Sequence, residues 1–171
     1  SDIINGEIKG DYSFSTLANS VQQTLHPFLS ALIRPKNKIR PDEKDNILNF
    51  DLSINNTESL SNILNLPVTI LSPAKLVGFY NNNQDKFNVE MFIPSVKAAG
   101  MNIRSGYISL KNPNDVIDAD ISLMIMGKNN VTNDITIHST LDNNLINTNM
   151  SLVNTGKQKA KGEFSIATLF A

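Results

Sequence analysis

Apolar and polar residues alternate along much of this chain, most regularly between Asp115 and Val153. In the first run Ile117, Ala119, Ile121 and Leu123 occupy every second position, and the alternation returns within 131–141 and 146–152. Successive side chains of a β-strand point to opposite faces of the sheet, so a period of two predicts strands with one buried face. The pattern therefore predicts three consecutive strands that share an apolar side.

The spacing between these runs tests whether the strands pair. A two-residue turn at Asn143-Asn144 matches apolar with apolar and polar with polar, in the pairs Leu141–Ile146, Ser139–Thr148, Ile137–Met150 and Ile135–Leu152. A register slipped by one residue would move every side chain to the wrong face. Asparagine tolerates the positive φ that such a turn requires. We therefore predict an antiparallel hairpin.

Two more turns extend the sheet backwards along the chain. A three-residue loop at 128–130 pairs Leu123 with Ile135, Ile121 with Ile137 and Ile117 with Leu141. A four-residue turn at 112–115 pairs Leu110 with Ile117 and Ile108 with Ala119. The apolar positions change phase before Ile108, which predicts a β-bulge near Ser105-Gly106. The result is an antiparallel meander with one continuous apolar side.

The rest of the chain predicts further strands and two helices. Alternation predicts strands at 3–9, 48–54, 68–71, 75–80, 87–93 and 160–170. Between 13 and 33 apolar residues recur at steps of three and four, which predicts an amphipathic helix that Pro27 kinks or splits. A short helix is predicted at about 57–65, with Thr57 as its N-cap. The segment 34–45 is charged and carries two prolines, so we expect a loop there.

Composition narrows the class of protein. A length of 171 residues suits a single domain, 1–171, with a sizeable core. The net charge is −1 and the basic residues are scattered, so no nucleic-acid partner is expected. The absence of cysteine excludes disulfides and thiolate metal sites, and no apolar run approaches the ~18 residues of a membrane-spanning helix. Because the chain starts at Ser1 without an initiator methionine, we expect a piece of a longer protein.

The sequence offers no catalytic, cofactor or metal site. His26 and His138 are the only histidines, and they lie in different predicted elements. No serine lies in a nucleophile-elbow motif. Asp118 and Asp120 project from the solvent side of one strand, and a flat strand does not converge the six or more oxygens that Ca²⁺ requires. We expect a non-catalytic protein.

The apolar side of the meander is the candidate functional surface. Burying one aliphatic side chain is worth about 1.5–3 kcal/mol, so this side needs a cover. The sheet can curl on itself, pack on a second sheet or hold an apolar ligand. The residues predicted to line a hydrophobic groove are Leu48, Phe50, Leu52, Phe87, Val89, Met91, Ile108, Leu110, Ile117, Ile121, Leu123, Ile135, Ile137, Leu141, Ile146, Met150, Leu152, Phe164 and Ile166.

Three sequence patterns follow one another between Tyr12 and Glu90. Tyr12-Ser13-Phe14-Ser15-Thr16-Leu17 heads the predicted helix; Phe50-Asp51-Leu52-Ser53-Ile54 leads to Ile63-Leu64-Asn65-Leu66-Pro67; Gly78-Phe79-Tyr80-Asn81 precedes Lys86-Phe87-Asn88-Val89-Glu90. In this order they resemble the periplasmic β-rich region of the translocation and assembly module (TamB) group of the AsmA-like superfamily. The resemblance covers most of Tyr12 to Phe170.

The resemblance implies a fold, a location and partners. Members of that group have a repetitive antiparallel sheet, curled like a taco shell around an open hydrophobic groove. They are periplasmic proteins anchored in the inner membrane of Gram-negative cells. The implied partners are phospholipid acyl chains and, for the full-length protein, an outer-membrane barrel of the TamA type. No catalytic residues or cofactors come with the resemblance. The predicted helix departs from a pure strand stack, which leaves open whether it plugs the groove.

Two functions follow from these observations. In the first, a non-catalytic periplasmic segment of a TamB-like protein carries lipid between the membranes in its groove or supports outer-membrane protein assembly. In the second, the chain is a structural or adhesive β-sandwich module with a dry core. Strand order separates the two, because a sandwich needs Greek-key crossings and a groove needs a sequential meander.

Overall fold

The fold is mainly β with a single described helix. A computed structural model describes residues 4–33, 45–55, 57, 68–98, 101–127, 131–156 and 160–170. The elements in chain order are β1 (Ile4–Asp11), α1 (Phe14–Leu25), β2 (Ile47–Ile54), β3 (Val68–Ile70), β4 (Ala74–Asn81), β5 (Lys86–Ile93), β6 (Val96–Ala98), β7 (Met101–Lys111), β8 (Ile117–Met126), β9 (Thr132–Asp142), β10 (Leu145–Asn154) and β11 (Ala160–Leu169).

All of these strands belong to one antiparallel sheet. Its order is β1-β2-β4-β5-β7-β8-β9-β10-β11, while β3 pairs with β6 and β6 also pairs with β7. Along this path the strands occur in the order of the chain, and β1 and β11 form its two open edges. The predicted open antiparallel meander is confirmed. The two packed sheets that a sandwich requires do not occur in the described part of the chain.

One face of the sheet carries an unbroken line of apolar side chains. Opposed residues in antiparallel strands point to the same face. The register aligns one apolar residue from each of β2, β4, β5, β7, β8, β9, β10 and β11. We call this line the central row: Leu52, Leu76, Met91, Ile108, Ile121, Ile137, Met150 and Phe164.

The sheet is interrupted at three neighbouring places, between β3 and β4, between β5 and β6, and within β7. These places lie side by side, and we call this region the corner. Ser72-Pro73 separates β3 from β4, Pro94-Ser95 separates β5 from β6, and the β7–β8 register shifts between Ile103 and Ser105. Proline cannot donate to a ladder, and a bulge bends its strand. Beside the corner, Ile70, Ala74, Val96 and Ile103 form a buried cluster. The bulge predicted near Ser105-Gly106 is confirmed and lies at the adjacent Arg104.

The residues 14–33, which we call the helix segment, lie across the opposite end of the apolar face. Near β2, the buried Asn46 side chain accepts from the Ser13 amide at 3.0 Å and donates to Ser20 Oγ at 2.7 Å. At the β9–β10 turn, the backbone amide of Asn144 donates to the Phe28 carbonyl at 2.8 Å, and the side-chain Oδ1 of Asn144 accepts from the Ala31 amide at 3.1 Å. Two asparagine side chains thus tie the segment down at both ends.

Some predicted boundaries differ from the structure. The helix ends at Leu25 and continues as turns, because Pro27 lacks an amide donor and disfavours helical backbone before it. Leu110 pairs with Ala119 and Ile108 with Ile121, so the predicted β7–β8 register is wrong by two residues. Most of the predicted short helix at 57–65 and of the predicted loop at 34–45 lies outside the described residues.

Candidate functional site

The apolar face is covered at two ends and open between them. Under the helix segment, Phe28 packs with Leu48, Tyr80, Phe87, Ile117 and Leu141 in one buried cluster, and the corner cluster lies at the other end. The central row runs between the two clusters. Its side chains are half-buried, and Phe164 at the β11 edge is 53% exposed. Large apolar side chains are mostly buried in folded domains, so this partly exposed row is the candidate apolar groove.

A wholly apolar pocket opens beside the groove, beneath the helix; we call it the helix pocket. Its volume is about 240 Å³. The helix contributes Leu17, Val21, Thr24 and Leu25, and the sheet contributes Leu48, Phe50, Tyr80, Phe87, Val89 and Leu110. Phe50, Val89 and Leu110 each lie two positions from a central-row residue of the same strand, so the pocket adjoins the groove. A pocket with such an apolar lining suits a hydrocarbon ligand.

A polar contact closes one side of the helix pocket. Thr24 Oγ1 lies 3.1 Å from the Tyr80 phenol oxygen and donates to Asp85 Oδ1 at 3.0 Å. Burial raises the pKa of Tyr80 above its ordinary value, the hydrogen bond with Thr24 works against that rise, and the charge of Asp85 adds to it. The phenol therefore stays protonated at neutral pH and serves as a hydrogen-bonding anchor for α1.

The register places every predicted groove residue on the apolar face. Leu48, Phe87, Ile117, Leu141 and Ile146 lie beneath the helix segment; Phe50, Val89, Leu110 and Ile166 lie in the next row; Leu52, Met91, Ile108, Ile121, Ile137, Met150 and Phe164 belong to the central row; and Leu123, Ile135 and Leu152 lie toward the corner. Their function as a ligand groove stays a prediction.

The sequence did not identify the part of the site that the helix supplies. Leu17, Val21, Leu25 and Tyr80 line the helix pocket, and Leu76 completes the central row. In β4, Val77 and Phe79 are apolar on the opposite face, so alternation alone does not give the phase of this strand. The signal that resolves it is Gly78. A methyl group there would overlap the Phe50 ring and the Asn88 carbonyl oxygen, so only glycine fits opposite Phe50. This places Leu76, Gly78 and Tyr80 on the apolar face.

The candidate catalytic groups are not brought together. His26 Nδ1 lies 2.7 Å from the Ile33 carbonyl oxygen, whereas His138 Nδ1 lies 2.7 Å from Asp120 Oδ1 on the solvent face of the sheet. Asp115 forms an ion pair with Lys86 at 2.8 Å in the β7–β8 loop. Among the described residues no group of three His, Cys, Asp or Glu side chains could hold a metal ion. These contacts explain the local structure without a reaction.

Two further findings concern membranes and relatives. In the described ranges, no helix combines the length and the hydropathy that crossing a bilayer requires. Comparison of the chain with protein-family models, with curated proteins and with solved structures gives no match.

Proposed function

We propose that this chain is a non-catalytic module that holds the acyl chain of a lipid in its apolar groove. The observation that carries the proposal is the central row, a line of apolar residues that the sheet leaves only partly buried, with Phe164 exposed at its β11 end. Exposed apolar surface of this extent is costly in water and marks binding surfaces. A flexible hydrocarbon chain fits such a row because it needs apolar contacts alone.

The dimensions of the groove suit an extended acyl chain. Strands in a sheet are about 4.8 Å apart, so the row from β2 to β11 runs roughly 34 Å. The helix pocket, about 240 Å³ and lined by apolar groups, adjoins this row through Phe50, Val89 and Leu110. We infer that the end of the acyl chain enters the helix pocket while the rest lies along the central row.

The wider role that we propose follows the resemblance to the TamB group. In that role the chain is a periplasmic segment of a protein anchored in the inner membrane. Its groove passes lipid between the inner and outer membranes or supports outer-membrane protein assembly, and the full-length protein meets a TamA-type barrel. The open edges of the sheet support this role, because a neighbouring sheet could pair with β1 or β11 and continue the apolar face.

Binding of cis-parinaric acid, a fatty acid that fluoresces in apolar surroundings, tests the acyl-chain proposal. Ile137→Asp puts a charge into the central row, and we expect it to weaken binding about tenfold or more, which corresponds to about 1.4 kcal/mol. Thr140→Asp is the matched control, since it adds the same charge to the same strand on the opposite face.

The binding of the variants can be compared only if each variant folds. Circular dichroism should give the same β spectrum for wild type, Ile137→Asp and Thr140→Asp. The proposal is wrong if the folded wild-type protein fails to bind the probe, or if the two folded variants lose binding equally.

A further inference from the structure

The opposite, polar face of the sheet carries a second cavity, which we call the polar groove. It has a volume of about 410 Å³, within the range of ligand sites, and it runs across β7 to β11. One wall has Tyr107, Ser122, Thr136, Ser151 and Glu163, and the other has Asp120, His138, Asn149 and Ser165. Ile121, Ile137, Met150 and Phe164 also line the cavity, between the two walls. Because the wall residues alternate with these four, the wall side chains project to the face opposite the apolar groove.

Three hydroxyl groups form a ladder along the first wall. Ser122 pairs with Thr136, and Thr136 pairs with Ser151, so the three lie side by side in consecutive strands at about 4.8 Å spacing. Their hydroxyls make no hydrogen bond to any residue of the described ranges. A hydroxyl both donates and accepts, so this ladder can satisfy a row of ligand hydroxyls.

The second wall holds its side chains in place by mutual hydrogen bonds. His138 Nδ1 lies 2.7 Å from Asp120 Oδ1, and Ser165 Oγ donates to Asn149 Oδ1 at 2.7 Å. Each pair leaves polar atoms for a ligand, namely the second imidazole nitrogen of His138 and the amide nitrogen of Asn149. Both walls therefore offer donors and acceptors to the groove, and the second wall holds its side chains by hydrogen bonds.

An aromatic surface lies at the β7 end of the polar groove. The rings of Tyr107 and Phe92 have centroids 5.0 Å apart with an interplanar angle of 48°. Phe92 is 43% exposed, so the pair presents apolar ring surface beside the hydroxyl ladder. A sugar ring matches this combination, because one of its faces is lined by C–H groups while its rim carries hydroxyls. A phosphorylated ligand does not, since the lining carries the carboxylates of Asp120 and Glu163 and no lysine or arginine, and the neighbouring Lys161 is paired with Glu163 at 2.7 Å.

We propose that the polar groove binds a short neutral oligosaccharide, with one sugar ring against Tyr107 and the following rings along Ser122, Thr136 and Ser151. This binding site lies on the face opposite the acyl-chain groove and does not depend on the proposed function. The hydroxyl ladder sets the direction of the sugar chain across the strands.

Titration of the isotope-labelled protein with maltotetraose, cellotetraose and chitotetraose, followed by amide NMR shifts, tests this proposal. With at least one of them we expect saturable shifts at Tyr107, Thr136 and Asn149. Tyr107→Ala should weaken binding about tenfold, and Thr136→Val, which removes a hydroxyl at constant shape, about threefold. Phe79→Ala is the matched control, because Phe79 is an exposed aromatic residue on the same face outside the groove.

Three results would overturn the proposal: no saturable shift with any of the three sugars, shifts confined to the apolar face, or an equal loss of binding in Phe79→Ala and Tyr107→Ala. Thr136→Val keeps the proposal testable if Tyr107→Ala fails to fold.

Discussion

The phenol oxygen of Tyr80 lies 3.1 Å from Thr24 Oγ1, and this contact joins β4 to the last turn of α1. Both side chains are buried, at 7% and 2% exposure. The same Thr24 hydroxyl donates to Asp85 in the β4–β5 turn. The helix that covers one end of the apolar groove is therefore fixed to the sheet through a group that can ionise.

Alkaline pH should weaken this contact. The pKa of Tyr80 is higher in the folded than in the unfolded protein, so its contribution to stability is full below about pH 10 and is lost as pH rises through the folded pKa. We expect the free energy of unfolding to fall more steeply above that pH in the wild type than in Tyr80→Phe. Chemical denaturation across the alkaline range measures both curves. Parallel curves would show that Tyr80 does not titrate differently in the two states.

The Asn144 side chain should hold the second half of the helix segment. Asn144→Gly keeps the positive φ of 63° that the turn requires but removes the hydrogen bonds to the Ala31 amide and Ser30 Oγ. We expect a loss of about 1–2 kcal/mol and faster hydrogen exchange at Ala31. Asn143→Gly is the control, since the Asn143 side chain contacts Asp142. Equal exchange at Ala31 in both variants would contradict this assignment.

Gly10 should be required for the pairing of β1 with β2. Its φ is +140°, and a methyl group at Gly10 would overlap the Ile47 carbonyl oxygen. We expect Gly10→Ala to cost about 1–3 kcal/mol locally and to release the edge strand, seen as loss of amide protection in β1. Gly162→Ala is the control in the other edge strand, because its nearest neighbour is a ring atom of the exposed Phe164 at 3.3 Å. Intact protection of β1 in Gly10→Ala would refute the prediction.

Filling the helix pocket should shorten the acyl chain that the protein accepts. Val21 lines the pocket, so the ring of Val21→Phe would occupy part of its 240 Å³. We expect palmitate binding to weaken about fivefold and decanoate binding to change little, as measured by displacement of cis-parinaric acid. Val153→Phe, at an exposed position on the polar face, should affect neither acid. Equal losses for the two acids would place their chain ends outside the helix pocket.

The hairpins at the centre of the sheet could be predicted from sequence alone. All predicted pairs between β9 and β10 are observed, including the contact of Ser139 with Thr148 at 2.9 Å, and those between β8 and β9 are observed as well. Two physical conditions made this possible. Strict alternation excludes every register shifted by an odd number of residues, and the tight turn at Asn143 and Asn144, which both adopt positive φ, selects one of the others.

The turn between β7 and β8 is different because contacts with residues outside it set its length. Asn112 is held beside β5, because its Oδ1 accepts from the Phe87 amide at 2.8 Å. The chain reverses after it, with Asp115 at a positive φ of 57°. The register is therefore shifted by two residues from the predicted one, a shift that leaves every side chain on its face. Apolar alternation cannot detect such a shift.

The helix pocket could not be predicted, because it depends on where the helix segment lies on the sheet. Asn46 and Asn144 decide that position through contacts between residues far apart in the chain, such as Asn46 with Ser20. The sequence identifies both asparagines as polar residues next to predicted strands. Nothing in their local sequence gives their partners.

The most direct test of the central claim locates a bound acyl chain on the protein. Stearic acid that carries a nitroxide on its chain broadens the NMR signals of nearby methyl groups. We predict stronger broadening of the methyl signals of Ile108, Ile121, Ile137 and Met150 in the central row than of those of Thr136 and Thr140 on the opposite face, which lie farther from the nitroxide. Broadening confined to the polar face, or none at saturating stearate, would contradict the account.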